Sequence, residues 1–130
     1  PKLARVRIAT SLPVQHAALA SLRGPQDYIG NFVSEIKKHR DFVVKRLNEM
    51  PGISCPTPKG AFYAFPKIED KKFGTDKEFV TKLLESKGVL TVHGSGFGEK
   101  YGSGHFRLVY LPNMQVLDSA MNKIEEFVSQ

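Results

Sequence analysis

Few side chains in this 130-residue sequence are set up to do chemistry, and Arg107 is the one whose setting demands an explanation. In GSGHFRLVYL (102–111), Phe106, Leu108 and Tyr110 alternate with Arg107, Val109 and Leu111, the period of a β-strand. Arg107 therefore shares a strand face with apolar residues. A guanidinium keeps its charge, and burying it alone is prohibitive, so an inward arginine needs a carboxylate or a phosphate. Its planar fork suits a carboxylate, two N–H groups meeting two oxygens. Two outcomes fit this pattern. The side chain snorkels or pairs internally, for example with a glutamate, or it recognises a ligand.

The other groups make weaker cases. GSGFGEKYGSG (94–104) invites a phosphate cradle, but no Gly-Lys-Ser/Thr follows and the next element is a strand, not a helix whose N-terminus would hold the anion. It reads instead as a conformationally demanding connection between strands, or as a loop beside some ligand. Ser34 and Lys37 in SEIK have the Ser-x-x-Lys spacing of some acyl-transfer enzymes, yet Lys37 falls on the polar side of a long helical pattern and no companion motif is present. His16, His39, His93 and His105 lack metal-ligand spacing, and Cys55 does not complete a site, so no metal is expected.

These residues must be positioned by the surrounding elements. Ser11 and Pro13 open a helix carrying Val14, Ala17, Ala18 and Leu22, which Arg23-Gly24-Pro25 stops. A longer helix follows, with Ile29, Phe32, Val33, Ile36, Arg40, Val43, Val44, Leu47 and Met50 on one stripe, ended by Pro51-Gly52. AFYAFP (61–66) reads as a strand closed by Pro66. TDKE (75–78) is a capping box, Thr75 as N-cap and Glu78 reaching back, for a helix that Gly88 stops. VLTV (89–92) and HFRLVYL (105–111) are strands, and Pro112-Asn113 starts a last helix through Met114, Leu117, Met121, Ile124 and Val128. The order α-α-β-β-α-β-β-α predicts a small sheet covered by helices, a two- or three-layer α/β sandwich. The first ten residues, PKLARVRIAT, and the Ala-rich first helix have no partner in view, so neighbouring structure is expected beyond this chain.

The totals exclude several classes. Hydrophobic content of 41% excludes general disorder, and no apolar run approaches the roughly 20 residues of a membrane span. The single Cys55 excludes an internal disulfide framework and fits a small buried side chain in a reducing, cytoplasmic compartment. The net charge of +6 comes largely from the early basic residues, among them Lys37, Lys38 and Lys45 on the polar face of the second helix. Nucleic-acid binding is not expected, because no recognition motif accompanies that charge.

PKGAFYAFP (58–66), VLTVHGSGFG (89–98) and GHFRLVYL (104–111), in this order and spacing, resemble the C-terminal region of class I/II aminotransferases, pyridoxal-phosphate enzymes of the aspartate aminotransferase fold. AALASLRGPQDYI (17–29) and HRDFVVKRLNEMPGISCPTPKGAFY (39–63) extend the resemblance over almost the whole chain. It implies the α+β-like small domain of the fold-type I pyridoxal-phosphate transferases. Residues 1–25 would end the large domain, 26–130 would form the small domain, and 26–50 would be the helix bridging the two.

The same resemblance implies that Arg107 binds the substrate's α-carboxylate and that Phe62 lies near the mouth of the active site, where Gly60 would let backbone come close. Core packing is the other reading of Phe62. The segment matching the family's Pro-Gly-Ser-x-Phe-Gly pattern carries His93 in place of proline, so the resemblance assigns no role to Ser95 or Phe97. The lysine that binds the cofactor, the aspartate on its pyridine nitrogen and its phosphate-binding groups lie upstream in the family. No catalytic or cofactor-binding residue is therefore expected within this chain, and it should not hold pyridoxal phosphate tightly. The expectation is a fragment, inactive alone, of a homodimeric aminotransferase acting on amino acids and 2-oxo acids, with its N-terminal cofactor domain missing. The rival is a stand-alone module whose basic helix face binds nucleic acid or an acidic protein.

Overall fold

The computed structural model describes residues 10–130, so the basic, apolar start expected to lack a partner lies outside the described residues. Helix α1 (Leu12–Arg23) begins after Ser11, with Pro13 in its first turn, where a missing N–H costs nothing. No residue of α1 is buried. Helix α2 (Asp27–Glu49) continues to the Pro51-Gly52 stop. The described chain clusters into two units, one ending at Ser34 and one covering Glu35–Gln130, with α2 running through both. Along the first part of α2, Ile29, Phe32 and Val33 are exposed. From His39 onward the stripe is buried through Val43, Val44 and Leu47, while Lys37, Lys38, Asp41, Lys45 and Glu49 stay outside as the helical period requires.

In the second unit, short strands form two small sheets. β1 (Ile53–Ser54) pairs antiparallel with β3 (Lys67–Ile68). β5 (Phe106–Val109) is the centre of a three-stranded sheet, flanked by β2 (Tyr63–Ala64) and β4 (Val92–His93), both antiparallel to it. An isolated bridge between Lys67 and His105 links the two sheets. Strand β2 ends at Ala64, before Pro66, as the ring suggests. Proline lacks a donor but keeps its carbonyl, which accepts the Phe106 N–H at 3.0 Å, and β3 follows. The ladder expected over 89–92 forms only at Val92–His93, although Leu90, Thr91 and Val92 keep the out–in–out alternation of a strand.

Helix α3 (Asp76–Lys87) has the expected capping box: Thr75 Oγ1 accepts the Glu78 N–H, and Glu78 Oε2 accepts the Thr75 N–H at 2.7 Å. Gly88 ends it in the left-handed region, φ 68°. Residues 94–104 are more ordered than a plain loop. A 3-10 turn (Gly94–Phe97) is followed by the single-turn helix α4 (Glu99–Gly102). Gly94 and Gly102 make this compaction possible: a Cβ on either would strike the other's carbonyl oxygen. Helix α5 (Met114–Val128), capped by Asn113, buries Leu117, Met121, Ile124, Phe127 and Val128.

The core lies between these helices and the buried face of β5. Phe79 is its hub, with ring centroids 5.0 Å from Phe106, 5.3 Å from Phe73 and 5.4 Å from Phe127. Truncating a buried phenylalanine of this kind costs about 3–5 kcal/mol.

Candidate functional site: an arginine between two rings

Strand β5 turns Phe106 and Leu108 into the core and places Arg107 and Val109 on the opposite, partly open face. Register decides what surrounds the arginine. Val92 of β4 lies directly across from it on one side. On the other side Tyr63 of β2 pairs with Val109, so Tyr63 is the diagonal neighbour of Arg107, within reach of a long side chain. The guanidinium carbon lies 4.7 Å from the Tyr63 ring centroid and 4.4 Å from that of Phe97. The cation thus lies over two aromatic rings, each contact contributing about 0.5–1 kcal/mol at a partly open site.

Arg107 Nε is buried and has no hydrogen-bond partner. Among the described residues several partly buried basic side chains find acids: Arg40 meets Asp41, Arg46 meets Asp118 and Glu125, Lys87 meets Glu126. None of those ion pairs involves Arg107. Of the two outcomes open at the sequence level, an internal acid partner is not the one found among these residues.

Nearby, Phe62 is half-buried against the core, its ring 4.6 Å from Tyr63. Gly60 is exposed, with no atom within 4 Å of the place a Cβ would occupy. Between them Ala61 adopts φ 58°, a left-handed conformation that costs an L-residue about 1–2 kcal/mol. The buried Tyr110 hydroxyl donates to the Ala61 carbonyl at 3.1 Å and holds the turn. Arg40 Nη1 donates to the Pro58 carbonyl at 3.3 Å, tying the same segment to α2.

The glycine segment is not an anion cradle. The N–H groups of Gly94, Ser95, Gly96 and Gly98 donate, respectively, to the His105 carbonyl, Asp76 Oδ2, His93 Nδ1 and the Ser95 carbonyl. The head of α3 is likewise taken by its own capping box. These donor sets do not fit a cofactor phosphate. His93, where the resemblance expects proline, serves as the N-cap of the 3-10 turn.

Among the described residues no group of three or more metal-ligating side chains converges. Cys55 is buried, and burial pushes its thiol above the ordinary value, so it is a packing residue rather than a nucleophile. Ser34 and Lys37 lie within α2, outside any such site. An apolar groove of about 630 Å³ runs between β4, β5 and α5, its lining including Arg107, Leu90, Val109 and Val116.

Tyr63 and Phe97 were not singled out from the sequence as partners of Arg107. Period-two alternation in AFYAFP and HFRLVYL, read with an antiparallel register, carries a signal for Tyr63. Phe97 arrives through a turn whose geometry no periodicity encodes.

Residues 2–124 match the family description Aminotransferase class I and II. The chain is 38% identical over 132 residues to the glutamate-pyruvate aminotransferase AlaA of Haemophilus influenzae, a match covering 98% of this chain and 32% of the relative. Its structure is similar to that of an alanine aminotransferase from Pyrococcus furiosus, with a TM-score of 0.90 and 52% identity, covering 98% of this chain and 32% of that one. An aminotransferase from Escherichia coli gives a TM-score of 0.85 at 34% identity with the same coverage. The chain therefore spans about a third of the length of these relatives. Small antiparallel sheets covered by helices are the fold it shares with them.

Proposed function

We propose that this chain, which belongs to the aminotransferase class I and II family, is the C-terminal part of an amino-acid aminotransferase in which Arg107 binds the α-carboxylate of amino-acid and 2-oxo-acid substrates. The observation that carries this is the unpartnered, buried Nε of a guanidinium that lies over the rings of Tyr63 and Phe97. A cation so placed has lost part of its hydration without gaining an acid, and a substrate carboxylate entering edge-on supplies the missing partner. The rings restrict where the guanidinium can move, so a carboxylate bound to its fork would be oriented as well as neutralised, and orientation of the reacting end is a direct contribution to rate.

Pyridoxal phosphate supplies the electron sink in this family. We place its binding groups outside this chain, because the backbone donors of the glycine segment are already engaged. The chain alone is then inactive. Residues 1–25 would belong to the cofactor domain and 26–130 to the small domain that closes over substrate, in a cytoplasmic homodimer. Phe62 and Gly60 would border the entrance. The alternative, a basic docking module, would use Lys37, Lys38 and Lys45 on the exposed face of α2, of which Lys45 lies 3.8 Å from Glu49.

The test is Arg107→Ala in the intact enzyme. Loss of two charge-assisted hydrogen bonds should lower kcat/KM for amino acids by about a hundredfold or more. Unchanged kcat/KM would sink the carboxylate assignment.

A further inference from the structure

Asp76 is a buried carboxylate at the first position of α3. The capping box of Thr75 and Glu78 takes the Thr75 and Glu78 amides, and the Asp76 carboxylate also meets its own backbone N–H. Its Oδ2 accepts the Ser95 N–H at 2.7 Å, from a residue 19 positions away. Ser95 belongs to the 3-10 turn that ends at Phe97, and His93 closes that turn from the other side, its Nδ1 3.2 Å from the Gly96 nitrogen and 3.0 Å from Ser95 Oγ. Phe97 is half exposed, packed edge-on against Phe65 at 6.1 Å and lying over Arg107. Nothing in the core holds this ring in place, so its position over the cation depends on the backbone that carries it.

We infer that Asp76 is a positioning residue for Arg107: by accepting the Ser95 amide it pins the turn that sets Phe97 over the guanidinium. This rests on the carboxylate-binding reading of Arg107 for its consequence in catalysis, but not for its geometry. Burial pushes the Asp76 carboxyl up, and the Ser95 hydrogen bonds with the nearby His93 pull it below its ordinary value, so it is ionised and a strong acceptor at neutral pH. Removing the acceptor leaves the Ser95 N–H unpaired, and the turn loses its one side-chain tie to α3, keeping His93 and the backbone bonds of Gly94 and Gly98.

Two measurements test this together. In the intact enzyme, Asp76→Ala should raise KM for both the amino acid and the 2-oxo acid by about threefold, the effect of losing the Phe97 contact, with kcat unchanged. Asp76→Asn keeps an acceptor oxygen and should restore most of the loss. Adding Asp76→Ala to Arg107→Lys should raise KM no further, because both act on one contact. In the 130-residue chain, the NMR signal of the Arg107 Nε–H should show the upfield shift of a proton beside aromatic rings, retained in Asp76→Asn and reduced in Asp76→Ala to what Tyr63 alone supplies. An unmoved Arg107 signal, or losses of kcat and KM that simply add, would overturn the positioning role. If Arg107→Lys leaves KM intact while Asp76→Ala still moves the signal, the positioning stands and the carboxylate reading fails.

Discussion

The ring of Phe97 lies 4.4 Å from the guanidinium carbon of Arg107, although one residue ends a 3-10 turn and the other sits in the central strand. The contact substitutes for the acid partner that the arginine lacks among the described residues. Phe97→Leu keeps apolar bulk and removes the ring's negative face. In the intact enzyme KM for the amino acid should rise about threefold, the equivalent of a cation–π contact of roughly 0.5–1 kcal/mol. Steady-state kinetics on the variant decide it, and an unchanged KM removes the ring from the binding account.

His39 is the buried polar group that ties α2 to the sheet. Its Nδ1 lies 3.1 Å from the Tyr110 carbonyl, a group that only accepts, so the ring nitrogen donates. His39→Leu fills the space but leaves the carbonyl unpaired, which should cost about 1–3 kcal/mol. Urea unfolding of the 130-residue chain measures it. A midpoint equal to that of the parent would show the carbonyl finding water instead.

Asp76 also predicts a response to acid. Its folded value is depressed below an unfolded value near 3.9, so its contribution to stability is fully present above about pH 5 and is lost as pH falls through the folded value. The stability gap between the parent and Asp76→Asn, read from urea midpoints, should therefore be largest near neutrality and shrink toward pH 2. A gap that does not change with pH would mean the carboxylate gains nothing from Ser95 by being charged.

Local signals in the chain were enough for the four long helices and their ends, but not for α4 or the 3-10 turns. Thr75 with Glu78, Gly88, Asn113 and Pro51-Gly52 act within one or two turns of themselves, so their effects are legible without knowing the fold. Alternation in HFRLVYL likewise placed Arg107 opposite a buried face, because the strand period is local. β3 and the shortness of β4 were not legible, since a strand two residues long exists only through its partner's hydrogen bonds. The surroundings of Arg107 were decided by tertiary structure alone. Tyr63 reaches it through the register of β2 on β5, and Phe97 through a turn whose amide is held by a carboxylate on another helix. A sequence states that an arginine sits on an apolar strand face. Only the packing of distant backbone segments determines that its neighbours are rings rather than acids, and so that its fork is left for something else to fill.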